Sequence, residues 1–425
     1  MQSQSMSSIF KNKTFSFSAV FISVSLILYP ATVLSVAKVN GLIFSLFALS
    51  GLFLLFRCRN KSTQVNHDEM LFYFSLGIFF LVSLFITIYG GFIYKAIGKY
   101  LHLLLAIPVY IYLRYSGVKL CYIWYGLVAG SVVAAGVAVY ESLILNISRV
   151  QSLTHPIIFG NLALVMGCMS MAGYGWFKQR KNWQLVFPVF ALICGILASI
   201  LSLSRGGWVA VPFLMIVFFW YIQSHFLFRH KIIVSISTLI FLGAIYAIPQ
   251  TKVSFQIDRT ITSLQQYEDS DINSYKRATS VGTRFEMWQA SWKMFLDNPV
   301  MGVGWGHYLE QAQLQVDQGL RNRSAATFDH PHSEYFSVLA YGGILGFLAL
   351  ILMFLTLTWL FVKYIKQGET ADIRRLALAG LVLVVAYMAF GLSEPMLLRS
   401  RSVNFFAFYL AVFMSAIYGQ SREVS

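Results

Sequence analysis

Two histidines flank a proline in the segment Asp329-His330-Pro331-His332, where a polar stretch of the chain gives way to an apolar one. An imidazole at a membrane surface can act as a general base near neutral pH, because its ordinary pKa lies close to 6.5. The His-x-His spacing is also compatible with a metal, but no second cluster of histidines or cysteines outside the apolar runs completes such a site. We therefore predict a base and no metal; a histidine packed against lipid headgroups is the structural alternative.

A lone arginine followed by two glycines, Arg205-Gly206-Gly207, joins two apolar runs. A guanidinium beside exposed amides at the start of a helix suits a diphosphate, which accepts hydrogen bonds from both groups. We predict that Arg205, Gly206 and Gly207 bind a diphosphate. An arginine that reaches towards lipid headgroups is the alternative at this position.

Arg284 stands in the first turn of a second predicted helix. Thr283-Arg284-Phe285-Glu286 has the pattern of a capping box, with Thr283 as the N-cap and Glu286 at the third helical position. A cation in the first turn opposes the helix dipole, which favours a bound anion that satisfies both. A solvated loop arginine is the alternative.

The helix predicted near 284–296 carries four aromatic residues at spacings of three and four, which are Phe285, Trp288, Trp292 and Phe295. An apolar stripe with charged residues beside it is typical of a helix that lies in the membrane interface. We predict that orientation for this helix.

Membrane-spanning helices must position these residues. Hydrophobic residues make up 57% of the 425-residue chain and charged residues only 12%, whereas soluble proteins carry roughly a quarter charged residues. Apolar runs long enough to cross a hydrocarbon core of about 30 Å recur along the whole sequence. We predict an all-α integral membrane protein of about twelve spans, which lie near 17–37, 39–56, 70–89, 98–113, 119–145, 155–177, 183–202, 206–222, 232–249, 338–362, 375–393 and 402–419.

The distribution of positive charge predicts the orientation. With a cytoplasmic N-terminus, the inside loops hold 17 of the 32 Lys and Arg residues, the short outside loops hold seven, and the polar segment 250–332 holds eight. Positive residues concentrate in cytoplasmic loops, so we expect both termini in the cytoplasm and 250–332 as one large outer loop. This divides the chain into spans one to nine (1–249), the loop (250–332) and spans ten to twelve (333–425).

Several functional classes are excluded. The net charge of +15 comes mostly from the cytoplasmic loops, and the outer loop carries nine acidic against eight basic residues, so it offers no basic face to a nucleic acid. The four cysteines lack metal-ligand spacing. Walker, HExxH and GxSxG motifs are absent from the sequence, which argues against ATPase, metalloprotease and serine hydrolase chemistry. We predict no cofactor.

Three motifs, in this order, resemble the O-antigen ligase and polymerase superfamily (Wzy_C). They are LSLSRGGW (201–208), GTRFEMWQASWKMFLDNPVMGVGWG (282–306) and HPHSEYFSVLAYGGILG (330–346). The shared domain would run from about 190 to 355. The whole layout, with a large late outer loop, is similar to that of O-antigen ligases of the WaaL type.

The resemblance implies an inverting, metal-independent glycosyltransferase with a GT-C-like fold in the bacterial inner membrane, with its active site facing the periplasm. Its donor would be O-antigen polysaccharide on undecaprenyl diphosphate, and its acceptor a sugar hydroxyl of the lipid A–core oligosaccharide, with membrane lipids around both. By motif, Arg205 and Arg284 would hold the diphosphate, and His332 would deprotonate the acceptor. His330 would contact the substrate, and whether it also assists His332 stays open. Ser333 stands where the family commonly has Asn.

Three other functions stay open on the sequence. An O-antigen polymerase uses the same donor with a growing lipid-linked chain as acceptor, and a protein O-oligosaccharyltransferase transfers the glycan to a Ser or Thr of a protein. A lipid-linked glycan transporter belongs to a different class. We rank it lower, because it should show internal repeats and ionisable residues deep in its spans, and the predicted spans hold little charge beyond Glu141.

Overall fold

The computed structural model describes residues 13–57, 65–90, 94–225, 261–263 and 265–424, which form helices and turns. The all-helical prediction is confirmed for these residues. In chain order the helices are α1 (Lys13–Thr32), α2 (Val39–Arg57), α3 (His67–Tyr89), α4 (Tyr94–Ser116), α5 (Leu120–Val139), α6 (Pro156–Ala172), α7 (Tyr174–Arg180), α8 (Val186–Leu201), α9 (Arg205–Trp208), α10 (Ala210–His225), α11 (Ser280–Asp297), α12 (Tyr308–Asp317), α13 (Glu334–Gln367), α14 (Ala371–Phe390) and α15 (Ser400–Val424).

Within the described residues, seven helices are long and apolar enough to cross a membrane, or eight when α6 and α7, which meet at a 47° bend, count as one span. Two shorter apolar helices are Ser18–Thr32 and Gly206–Ile222. The chain is therefore a multi-pass membrane protein. The span predicted at 232–249 lies outside the described residues, and each of the others coincides with a helix. The count of twelve and the GT-C-like fold stay predictions.

Three helices, α6, α14 and α15, are almost wholly buried and form the centre of the bundle. Helix α6 packs on α8 and α14, and α15 packs on α4 and α14. Aromatic rings fill this core: Tyr29 stacks on Phe408 with ring centroids 3.7 Å apart and donates a hydrogen bond to Asn404 at 2.5 Å. The short loop 391–399, which joins α14 to α15, therefore lies at the end of the most buried part of the molecule.

Helix α13 is kinked at Gly343, which has φ +56° and ψ −153°. A turn at 299–304 supplies the hydrogen bonds that the interrupted helix lacks; Gly304 N, for example, donates to the Tyr341 carbonyl at 2.9 Å. The sequence predicts that the glycines of 342–346 let neighbouring helices approach. Ile86 of α3 packs on Gly342 and Gly346 in this way, whereas the turn packs on Gly343 because its backbone replaces the missing helical partners.

Helix α11 begins at Ser280, and its N-cap is Thr279, whose Oγ1 accepts a hydrogen bond from Gly282 N at 3.1 Å. The predicted capping box at Thr283 and Glu286 is therefore wrong, because the helix starts one turn earlier. The Thr-x-x-Glu pattern is misleading here since Glu286 has other partners.

Glu286 is fully buried and anchors α11 to the segments before and after it. It accepts hydrogen bonds from the Tyr267 hydroxyl at 2.8 Å, from Arg277 at 3.0 Å and from Asn322 N at 3.1 Å. Burial and the bond to Glu286 raise the pKa of Tyr267 to about 12. This cluster fixes the start of α11 relative to the rest of the segment between α10 and α13.

The face of α11 that packs on the protein consists of Met287, Ala290 and Met294, all buried. The predicted aromatic stripe lies beside this face: Trp288 stacks on Phe336 of α13 at 5.3 Å, and Trp292 is 47% exposed. The location of this helix in a membrane interface stays a prediction.

Two charged residues pair just outside the predicted spans 70–89 and 98–113. Glu69 of α3 is completely buried and forms an ion pair with Arg114 of α4, whose guanidinium also lies 4.4 Å from the ring centre of Tyr418. The Tyr110 hydroxyl donates to Glu69 at 2.5 Å. Because the two charges neutralise each other and are hydrogen-bonded, the pair is compatible with burial and has the character of a structural contact.

Candidate active site

His332 and Glu394 form a hydrogen-bonded pair. Nδ1 of His332 lies 2.8 Å from Oε2 of Glu394, whose side chain has no exposed surface, while the His332 ring is 11% exposed. An ionised carboxylate can only accept, so the ring carries its proton on Nδ1 and Nε2 is its acceptor nitrogen. The pair has the arrangement of a general base that a buried acid holds in one tautomer.

Arg399 and His330 surround the other oxygen of Glu394. Nε and Nη2 of Arg399 donate to Glu394 Oε1 at 3.1 and 2.9 Å, and Nη2 also lies 3.0 Å from Nε2 of His330. Nδ1 of His330 lies 2.5 Å from Oδ1 of the exposed Asp329. A neutral His330 with its proton on Nδ1 donates to Asp329 and accepts from Arg399. With His332, these side chains form one hydrogen-bonded cluster.

The charges of the cluster keep Glu394 ionised. Burial opposes its ionisation, but the contacts with both histidines and the charge of Arg399 outweigh burial and hold the pKa of Glu394 well below its ordinary value. Burial lowers the pKa of His330, and its contacts with Asp329 and Glu394 outweigh that effect, so the net shift is upward. The hydrogen bond to His330 lowers the pKa of Asp329 to about 2. Since Glu394 stays ionised, the tautomer of His332 is fixed.

The backbone around His332 is held from two sides. Trp288 of α11 donates from Nε1 to the Pro331 carbonyl at 2.9 Å, and the Tyr341 hydroxyl of α13 donates to the Asp329 carbonyl at 3.0 Å. His332 itself has φ +50°, a conformation that costs free energy for a residue with a side chain. The surrounding contacts therefore impose the position of the imidazole.

The predicted diphosphate motif lies against the loop that carries Glu394. The Ser393 hydroxyl donates to the Gly206 carbonyl at 3.2 Å, and a Cβ on Gly206 would lie 2.4 Å from that hydroxyl. Gly207 approaches α6 in the same way. The sequence predicts exposed amides at these glycines, but both are buried, because their small size is what allows α9 to pack. The backbone of Arg205 thus lies beside the loop, and the binding roles of the three residues stay predictions.

Arg284 lies one turn before Trp288 on α11. Residues four apart share a helix face, so Arg284 stands on the face that meets the Pro331-His332 segment. As the fifth residue of α11, it is beyond the first turn, where the helix dipole acts most strongly. The dipole argument for a bound anion therefore fails, and the predicted role of Arg284 now depends on its position and its motif.

His155 is the N-cap of α6, and its Nδ1 accepts from Ile157 N at 3.4 Å. Burial lowers the pKa of His155; the charge of Glu394 opposes this shift, and that of Arg399 reinforces it.

One group of side chains could hold a metal ion. His330, His332 and Glu394 each offer a ligand atom, and these atoms lie within 4.8 Å of one another. Two histidines and a glutamate are a donor set that zinc uses. The sequence showed no third metal ligand for the His-x-His pair, and in the structure Glu394 supplies one. However, Arg399 donates to both His330 and Glu394, so a metal would have to displace its guanidinium.

Sequence reasoning missed Glu394 and Arg399. Both lie in the loop 391–399, and 62 positions separate Glu394 from His332. A signal was present: a lone acid in a short loop between two predicted spans is costly near hydrocarbon, which makes it a candidate for function. In the sequence analysis Arg399 counted only as a marker of topology.

Comparison with known proteins bears on the whole arrangement. Residues 189–351 match the family model described as O-antigen ligase (Wzy_C); this range includes Arg205, Arg284, His330 and His332. Over 387 residues the chain is 26% identical to an uncharacterized protein of Haemophilus influenzae, covering 90% of this chain and 94% of that protein. Over 199 residues it is 24% identical to the ComP-specific O-oligosaccharyltransferase of Acinetobacter baylyi, covering 46% of this chain and 32% of that protein. The resemblance seen in the motifs is thus confirmed over residues 189–351, which match the O-antigen ligase (Wzy_C) family model.

Proposed function

We propose that the protein is an O-antigen ligase. It transfers O-antigen polysaccharide from undecaprenyl diphosphate to a sugar hydroxyl of lipid A–core. The observation that carries this proposal is the His332–Glu394 pair, which presents an oriented base within a family of glycan-transferring proteins.

In the proposed reaction, Nε2 of His332 takes the proton of the acceptor hydroxyl. The hydroxyl oxygen attacks the anomeric carbon of the donor sugar, and the bond from that carbon to the diphosphate oxygen breaks. Undecaprenyl diphosphate leaves with the electron pair. Attack opposite the leaving group inverts the configuration, and the imidazolium is stabilised by Glu394 until it releases its proton.

Arg205 and Arg284 hold the diphosphate in this proposal. Charge develops on the phosphate oxygens as the glycosidic bond breaks, and guanidinium groups stabilise it without a metal. The position of the Arg205 backbone beside the Glu394 loop, and of Arg284 on the face of α11 that meets the His332 segment, supports this assignment. The energy for transfer comes from the donor linkage itself, so no nucleotide is required.

The proposed setting is the bacterial inner membrane, with both termini in the cytoplasm and the His332 cluster on the periplasmic side. The charge count of the loops supports this orientation. Because both substrates are anchored in lipid, we propose that they enter laterally between helices of a GT-C-like fold.

A protein O-oligosaccharyltransferase is the second candidate. The similarity to the ComP-specific O-oligosaccharyltransferase of Acinetobacter baylyi favours it. The same base and diphosphate clamp would serve there, with a Ser or Thr hydroxyl in place of the sugar hydroxyl. An O-antigen polymerase differs again only in the acceptor.

Reconstitution with competing acceptors distinguishes these functions. The purified protein is incubated in liposomes with undecaprenyl-diphosphate glycan and either lipid A–core or a ComP-type acceptor protein. The proposal predicts a ladder of high-mass lipopolysaccharide, and Arg205→Ala and Arg284→Ala should raise the KM for the donor or abolish transfer. Glycan on the protein alone, or extension of the lipid-linked chain alone, would replace the ligase assignment with one of its alternatives.

A further inference from the structure

We infer that Glu334 is a positioning residue that sets the location of Glu394 relative to His332. This inference rests on the proposed function, since it assigns Glu334 a part in orienting the base. Neither the motifs nor the chemistry of transfer requires a carboxylate at this position.

Glu334 forms hydrogen bonds to both ends of the loop that carries Glu394. At one end, Glu334 N donates to the Gly391 carbonyl at 2.7 Å. At the other end, Leu397 N donates to Oε2 of Glu334 at 2.8 Å. Glu394 lies between these two points, so its distance from His332 depends on both hydrogen bonds.

The neighbouring residues reinforce the same contact. The Ser333 hydroxyl donates to the Gly391 carbonyl at 3.2 Å, and His332 bonds to Glu394 itself. Three consecutive residues, 332–334, therefore bind one loop of nine residues at its beginning, middle and end. A shift of the loop would directly change the His332–Glu394 distance.

A role in helix stability does not account for Glu334. An acid in the first turn of α13 is favourable to the helix dipole, but this carboxylate bonds across to the loop at Leu397. Its side chain is 1% exposed, and burial of a carboxylate is costly unless it is hydrogen-bonded.

The second carboxylate oxygen of Glu334, Oε1, is buried and has no hydrogen-bond partner among the described residues. The bond from Leu397 N to Oε2 is therefore the contact through which this side chain acts on the loop.

Two conservative variants separate the reach of the side chain from its carboxyl group. Glu334→Gln keeps the length of the side chain and an oxygen that accepts from Leu397 N, but replaces the other oxygen with an amide nitrogen. Glu334→Asp keeps the carboxyl group and is one methylene shorter, so it cannot reach Leu397 without movement of the loop. If Glu334 acts by position, Glu334→Asp loses kcat by about tenfold to a hundredfold, while Glu334→Gln keeps at least about a third of it and KM for the donor changes little in both.

The measurement is initial transfer rate against donor concentration, with Glu310→Asp and Glu310→Gln on the exposed face of α12 as matched controls. A Gln variant that is as impaired as the Asp variant, or more impaired, overturns the inference. So does full activity in both. Cryo-EM structures of wild type and Glu334→Asp should show that the variant has the 391–398 loop displaced and the His332–Glu394 distance lengthened. An unmoved loop overturns the inference, whether or not the wild type transfers glycan. A wild type that transfers no glycan would reject the proposed function alone.

Discussion

His332 and Glu394 lie 62 positions apart in the sequence and 2.8 Å apart in the structure. His332 lies at the end of the polar segment 250–332, and Glu394 lies between the two central helices α14 and α15. The fold therefore brings the proposed base and its acid partner together at one end of the bundle. Because Glu394 also binds Arg399, one carboxylate connects the imidazole to a permanent positive charge.

We expect Glu394→Gln to lower kcat by roughly 100-fold to 10,000-fold, the usual range for the loss of general base catalysis. An amide can donate to His332 Nδ1, which would leave the proton on Nε2 and remove the base. KM for the donor should change little, because Glu394 is buried behind the imidazole. Initial rates of glycan transfer test this, with Glu310→Gln as the control. A kcat within twofold of wild type would show that Glu394 has no part in the reaction.

Chelation and zinc should have opposite effects. EDTA should leave the transfer rate unchanged, since Arg399 already supplies the cation beside Glu394. Excess Zn²⁺ should inhibit, because coordination by His330, His332 and Glu394 would take Nδ1 of His332 and displace Arg399. Arg399→Ala should bind Zn²⁺ more tightly than wild type, as measured by calorimetry. Loss of activity in EDTA that is restored by a metal would contradict this account.

The Asp329–His330 contact should make stability depend on pH. The pKa of His330 is raised from 6.5, so its contribution to the free energy of unfolding is present below about pH 6.5 and is lost as the pH rises through the folded-state value. The effect should be about 1 kcal/mol or less, because Asp329 is largely exposed. Thermal unfolding of Asp329→Asn in detergent should show a smaller loss of stability on this rise in pH. A slope equal to that of wild type would refute the contact.

Gly343→Ala should destabilise the protein by about 1–3 kcal/mol, since a side chain at positive φ is strained. Its Cβ would also lie 2.5 Å from the Val300 carbonyl carbon. Gly77→Ala in the middle of α3, where a Cβ would meet nothing within 4 Å, is the matched control and should be neutral or slightly stabilising. The midpoint of thermal unfolding compares the two. Equal midpoints would mean that the kink at Gly343 can be rebuilt at no cost.

The helices could be predicted from the sequence because a membrane span needs only a long apolar run, which is a local property. The kink at Gly343 could not, because it depends on the backbone of the 299–304 turn. The start of α11 was misplaced for a similar reason: Thr283 and Glu286 fit a local capping pattern, whereas the tertiary partners of Glu286 decided its role.

The residues of the candidate site were likewise only partly predictable from the sequence. His330 and His332 stood out because their residue types and their place at the end of a polar segment suggest proton transfer. Its charge between two predicted spans marks Glu394 as unusual, but the sequence does not show its partner, because only the fold brings the 391–399 loop against His332. The role of Arg284 stays a prediction that depends on its position and its motif, because the dipole argument that first supported it has failed.

The central claim, that His332 is the base, is tested most directly by the single-turnover rate of glycan transfer in His332→Gln with donor and acceptor at saturation. Gln has no basic nitrogen, so the account predicts a fall of roughly 100-fold or more, with binding of the undecaprenyl-diphosphate donor retained. A rate equal to that of wild type would contradict the account.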